Sequence, residues 1–238
     1  MSASPLVLFG IPAIAIVVAA LFVVGQYLVT RRLSAALGWL AVVVAWLALS
    51  GALAASGLLA RFDLRPPPMA LMFAVVIGLG LLVGLSRVGA RLAESLPLWA
   101  LVGVQAFRLP LELFMHQAAV EGVMPHEMSF SGYNFDIVTG AAALVVAALA
   151  ARGSAPRWLL VGWNVYGIAA LVAIAIVALI SSPMVRAFGD DPTHINSFVT
   201  TFPFVWLPAV LVVAAIAGHV IVWRKLSAEA PLRHARPA

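Results

Sequence analysis

Leu96-Pro-Leu-Trp-Ala-Leu-Val-Gly-Val-Gln105-Ala-Phe-Arg108-Leu-Pro110-Leu-Glu112-Leu-Phe-Met-His116-Gln-Ala-Ala-Val120 is an apolar run carrying four strongly polar residues at helical spacing. It is long enough to cross a ~30 Å hydrocarbon core as a helix, and its hydrophobicity is continuous rather than alternating, which argues against a strand. At 100° per residue Gln105, Arg108, Glu112 and His116 fall within an arc of about 80°, so one face of this helix is expected to be a polar stripe. A membrane-spanning helix with a polar stripe needs neighbours to cover it, and the rest of the chain supplies them.

The chain has 238 residues, 64% of them hydrophobic and only 10% charged, far from the ~25% charged of a globular domain. Six further apolar segments accompany the first: roughly Pro5 to Val29, Leu33 to Ala60, Met69 to Leu85, Phe135 to Ala151, Trp158 to Ile180 and Phe202 to Trp223. The expected fold is therefore all-α, a polytopic bundle of about seven transmembrane helices. The third and fifth spans lie near the short limit. Residues 1–225 form one transmembrane domain in this scheme, and residues 226–238 a short basic tail expected to be disordered. The first span, which lacks a basic flank and exceeds a signal-peptide core, is expected to remain uncleaved.

Basic residues give the orientation. Arg31, Arg32, Arg87, Arg91, Arg152, Arg157, Arg224, Lys225, Arg233 and Arg236 would lie on one side, and Arg61, Arg65 and Arg186 on the other. Cytoplasmic loops are the ones enriched in Lys and Arg, which puts the amino terminus outside and the carboxyl terminus in the cytoplasm. The net charge of +5 does not indicate nucleic acid, because these residues are spread over short loops instead of clustering on one solvated face. The expected partners are the lipid bilayer and a small ligand or another protein.

The outer loops are acidic and carry histidines. The first, residues 121–136, contains Glu121, Glu127 and Asp136 with His126 and Asn134, and the second contains Asp190, Asp191 and His194. Gln105, Arg108, Pro110, Glu112 and His116, followed by Pro125, Met128, Phe130, Gly132, Asn134 and Asp136, with Trp206-Leu-Pro208 as a fainter extension, resemble a pattern in uncharacterised bacterial multi-pass inner-membrane proteins. The resemblance covers about a fifth of the chain. It implies the bacterial cytoplasmic membrane and no particular chemistry.

Candidate site residues follow from depth and spacing. An unpaired Arg108 at mid-bilayer would cost roughly 2.5–3.5 kcal/mol, so it requires a partner. Glu112 at i+4 is the expected one, with the carbonyl of Ala106, freed by Pro110, as a further acceptor. A pair of this kind is either a structural lock or part of a substrate or proton site, and Gln105, Arg108, Glu112, His116, Asn134 and Asp136 are the candidate ligand or proton residues. Asn164 and His219, at similar depth in the last two spans, form a secondary polar pair. Glu112 and His116, one turn apart, could also ligate a divalent metal with His126 and His194 from the loops, although ordinary solvated loop charges are the favoured explanation of the latter.

Other cofactors are disfavoured. Zero cysteines removes iron-sulfur clusters and c-type haem, and the depth difference of about 20 Å between His116 and His219 argues against a shared haem iron. Retinal needs an intramembrane lysine, and the only lysine, Lys225, sits at a helix end. Three function classes remain: small-ligand or proton binding and transport at an outward-facing site, a metal-dependent enzyme at the outer leaflet, and a non-catalytic assembly or sensor component.

Overall fold

The computed structural model describes residues 3–234, with side chains described as far as Glu229; Arg236 and the end of the tail lie outside the described residues. Every described element is helical. The chain runs through α1 (Pro5–Thr30), α2 (Leu33–Ala55), α3 (Pro68–Leu85), α4 (Arg87–Ser95), α5 (Leu98–Val104), α6 (Arg108–Val120), α7 (Asp136–Ala151), α8 (Arg157–Ile180) and α9 (Val213–His234), with a π-helical turn at Leu207–Val212 leading into α9. Prolines set several starts: Pro5, Pro68, Pro97 and Pro156 stand at or just before the first turn of a helix, where no N–H is required.

Six helical stretches are long and apolar enough to cross a membrane: Pro5–Thr30, Leu33–Ala55, Pro68–Leu85, Leu98–Val120, Arg157–Ile180 and Leu207–Glu229. The seventh expected span, α7, is shorter, about 24 Å at 1.5 Å per residue. The outward faces are apolar: Phe9, Leu33, Leu82 and Leu85 are each more than half exposed. A soluble protein does not leave contiguous surfaces of this kind in water, whereas a multi-pass membrane protein presents them to lipid.

Four boundaries differ from the sequence expectation, the first being the second span, which ends at Ala55 instead of Ala60, with a separate 3-10 turn at Leu58–Ala60. Residues 86–95, expected as a loop, form α4, whose Gly89, Leu92 and Ala93 are buried while Arg87, Arg91 and Glu94 face outward. The last membrane-spanning stretch begins at Leu207 instead of Phe202, because residues 202–205 are turns and Pro208 lies in the π-helical turn. α9 then continues to His234, past residue 226, where a disordered tail is expected.

Helix α9 packs against α3, α4, α5 and α8, while α7 packs against α5, α6 and α8. Gly80 and Gly84 of α3 make its close approach to α9 possible, since a Cβ there would sit 2.8 Å from Ile216 and 2.7 Å from Val220. Beside a smaller apolar cluster around Met72, Val76 and Val205, two larger ones divide the interior. One includes Val7, Ile11, Leu111, Met115, Phe198 and Leu211, and the other Leu92, Val102, Val146, Trp163 and Ile221. Buried Gln105, Arg108 and His219 fall between them along their helices, so the bundle carries a polar layer enclosed by apolar packing.

The amino terminus is tied to the end bearing loop 121–135. Ser4 caps α1, and its N–H and hydroxyl donate to Glu121 at 2.8 and 2.6 Å. The Ser4 hydroxyl first, then its N–H and the Gln117 amide, hold the Glu121 carboxyl below its usual range. At the opposite end Arg224 donates to the carbonyls of Gly84 and Ser86, and Lys225 to that of Ala93, so these cations close the carboxyl ends of α3 and α4.

Candidate functional site

The site begins at a break in the fourth membrane stretch. Pro110 has no N–H to give and its ring crowds the preceding turn, and just before it the helix tightens into a 3-10 turn at Gln105–Phe107. The polar stripe is therefore divided. Gln105 turns to α9, where its Nε2 donates to the Ala214 carbonyl at 3.3 Å, while Arg108 turns to α7.

The expected ion pair is corrected by the structure. Arg108 Nη1 donates to Asp136 Oδ1 at 2.6 Å, and neither Glu112 nor the Ala106 carbonyl is its hydrogen-bond partner. Glu112 instead accepts from Asn134 Nδ2 on both carboxylate oxygens, at 2.8 and 2.9 Å. The cause is the approach of α7 to α6. Gly140 lies so close that a Cβ on it would stand 2.4 Å from the Leu109 nitrogen, and this contact brings the start of α7 onto Arg108.

Asn134 is fixed from three directions. Its Nδ2 also donates to the Met128 carbonyl at 3.1 Å, and its Oδ1 accepts the Asp136 N–H at 3.1 Å. The loop thus holds an amide against Glu112 and a carboxylate against Arg108 through two residues of one turn. Arg108, Glu112, Asn134 and Asp136 are all buried. Asp136 also occupies the first turn of α7, where a negative charge suits the helix dipole.

His116 stands apart from this group. Its Nδ1 lies 3.2 Å from the Ser131 hydroxyl, and its ring packs on Phe130 at 4.4 Å between centroids. His126 approaches the same hydroxyl at 3.5 Å, whereas His194 pairs at 2.5 Å with Glu127 of the preceding histidine-bearing loop. Glu112, His116, His126 and His194 are therefore not brought together as metal ligands: Glu112 is held by Asn134, His116 and His126 both lie at the Ser131 hydroxyl, and His194 is on Glu127. Among the described residues, no three His, Cys, Asp or Glu side chains converge to hold a metal. Asn164 and His219 do meet: His219 Nδ1 lies 2.8 Å from Asn164 Oδ1, and Asn164 Nδ2 donates to the His219 carbonyl at 3.3 Å.

Beside the buried quartet lies a cleft of about 290 Å³. Its walls are apolar, from Met69 and Phe73 of α3, Leu111 of α6, Leu171 and Ile174 of α8, and Leu207 and Leu211 of the π-helical turn. Arg108, Glu112, Asn134, Asp136, Ser182 and Asn196 supply its polar lining. Leu179 and Met184 also line it and are 57% and 59% exposed, so the cleft has an open lip on the apolar outer surface.

Two features of this cleft have no counterpart in the sequence expectation. Asn196 contributes a side-chain oxygen with no partner, and the π-helical turn forms one wall. Pro208 inside an apolar run is the signal that an irregular turn was to come. Trp46 stabilises that irregularity, its Nε1 donating to the Ala209 carbonyl at 2.8 Å.

The guanidinium is the unusual group here. Arg108 is 1% exposed, Asp136 takes only Nη1, and Nε and Nη2 have no hydrogen-bond partner. Buried polar groups are nearly always paired, and leaving a charged donor unpaired is more costly than leaving a neutral one. Neither a family model nor a curated protein nor a solved structure matches the chain.

Proposed function

We propose that the protein is a binding or transport component of a bacterial inner membrane that takes a small ligand into the cleft among α3, α6, α8 and the π-helical turn. The supporting observation is the bare Nε and Nη2 of Arg108 beside an apolar cavity. A concave, mostly apolar site with a few convergent polar groups is the usual form of a small-molecule pocket. Arg108 and Asn134 hold the polar end, Asp136 positions the guanidinium, and Glu112 sets the local charge. The metal-dependent alternative has no converged ligand set among the described residues to support it.

Ligand retention tests this proposal. Organic extraction of protein purified in mild detergent should recover a stoichiometric small molecule from the wild type and much less from Ala175→Phe, which fills the cleft from α8. Equal recovery from both, or none from either, would remove the cleft from the account and leave an assembly role.

In the proposed topology α7 completes the seventh crossing and the cleft belongs to the outer half of the membrane. The basic loops motivate this orientation. A reporter inserted near Gly132 should read external and one fused after Ala238 cytoplasmic, and the reverse pattern would place the cleft on the inner face.

A further inference from the structure

The two unpartnered nitrogens of Arg108 are not scattered around the guanidinium. Nε and Nη2 share one edge, whose parallel N–H groups match the two oxygens of a carboxylate or two oxygens of a phosphate. This chain uses the same edge elsewhere: Arg61 Nε and Nη2 donate to Asp63 Oδ1 and Oδ2 at 2.8 and 2.7 Å in an outer loop. At Arg108, a residue lining the cleft, the equivalent fork is buried and has no protein acceptor.

We infer that the ligand is a single-chain amphiphile with an oxyanion headgroup, carboxylate or phosphate, seated on the Nε/Nη2 edge of Arg108 with its hydrocarbon chain in the cleft. This rests on the cleft being a ligand site. The unpaired edge consists of donors, so it selects an acceptor and rejects a cation. The apolar walls call for a hydrocarbon chain, and the lip at Leu179 and Met184 admits it from the surrounding lipid. A volume of about 290 Å³ is at the small end of ligand sites and suits one chain rather than two.

Charge balance assigns a role to Glu112. Arg108 and Asp136 neutralise each other, so a second anion beside an ionised Glu112 would be uncompensated. Glu112 has Asn134 as its hydrogen-bond partner and Arg108 and Asp136 as the charged groups near it. It is therefore a positioning and charge-setting residue, whereas Arg108 is the headgroup contact.

The experiment uses the full chain in nanodiscs and measures displacement of a fluorescent long-chain fatty acid. A fatty acid should compete about tenfold to hundredfold better than its methyl ester, the margin expected of charge-assisted hydrogen bonds. Arg108→Gln should abolish that preference, and Glu112→Gln, which removes the competing negative charge, should strengthen binding of the acid. A monoacyl glycerol phosphate run beside the fatty acid assigns the oxyanion by the tighter of the two. Acetate and inorganic phosphate, which lack the chain, should not compete at the same concentrations.

Equal affinity for acid and ester in the wild type overturns the headgroup assignment while leaving the cleft as a site. Competition by acetate or phosphate alone overturns the amphiphile. Failure of the wild type to bind either acyl compound overturns the amphiphile, and the cleft falls as a ligand site if extraction of the wild type also recovers no small molecule. If Arg108→Gln does not fold, the acid-to-ester ratio of the wild type and loss of acid binding in Ala175→Phe carry the decision.

Discussion

Asp136→Leu should be among the most damaging single substitutions in the chain, with a loss of about 3–5 kcal/mol, because it leaves the Arg108 guanidinium buried without its one ion partner. The double replacement Arg108→Met with Asp136→Leu removes both charges and should recover most of that loss, since a buried pair contributes little net stability over apolar packing. Equilibrium unfolding in mixed micelles provides the measurement. The comparison of interest is with Glu112. Arg108→Met combined with Glu112→Leu should show no such rescue, because Glu112 is bonded to Asn134 rather than to Arg108. Rescue through Glu112 and not through Asp136 would mean that the pairing described above is wrong.

Gly140→Ala should rank next. The new methyl would stand 2.4 Å from the Leu109 nitrogen and 3.0 Å from the Arg108 carbonyl carbon, and backbone atoms cannot swing aside as a side chain can. Separating α6 from α7 should cost about 3 kcal/mol, the upper part of the range for overpacking, and pull Asp136 away from Arg108. Gly162→Ala in α8 is the matched control: nothing lies within 4 Å of a Cβ there, so helix propensity alone should make it neutral or more stable by up to about 1 kcal/mol. Thermal unfolding of the two variants side by side checks the contrast. Similar behaviour of both would deny Gly140 its role in bringing α7 onto Arg108.

Helix class and most boundaries were legible because their causes are local. Apolar runs longer than a membrane is thick, punctuated by Pro5, Pro68, Pro97 and Pro156, give much the same helices in sequence and structure. The residues around the site were legible for a related reason: charge inside an apolar run is conspicuous wherever it occurs. Their partners were not. Whether Arg108 reaches Glu112 or Asp136 depends on how closely α7 approaches α6, and that is set by Gly140, which in sequence looks like any other glycine in a membrane helix. The stripe also failed as a single unit, because a 100° step assumes an unbroken helix and the 3-10 turn at Gln105–Phe107 changes the step between Gln105 and Arg108. Helix α4 escaped notice since it is short and half polar, and its burial against α9 is a tertiary matter.

The cleft lies furthest from what sequence can reveal. Its walls come from α3, α6, α8 and the π-helical turn, and none of their apolar residues differs in kind from a lipid-facing neighbour. Only the polar end stands out, and even there the unsatisfied edge of Arg108 is a property of geometry and not of composition.

The most direct measurement is an experimental density map of the protein in nanodiscs prepared from its own membrane lipids. An elongated density should occupy the cleft, with its head within about 2.7–3.2 Å of both Nε and Nη2 of Arg108. A cleft closed by side chains, with those two nitrogens bonded to protein acceptors, would contradict it.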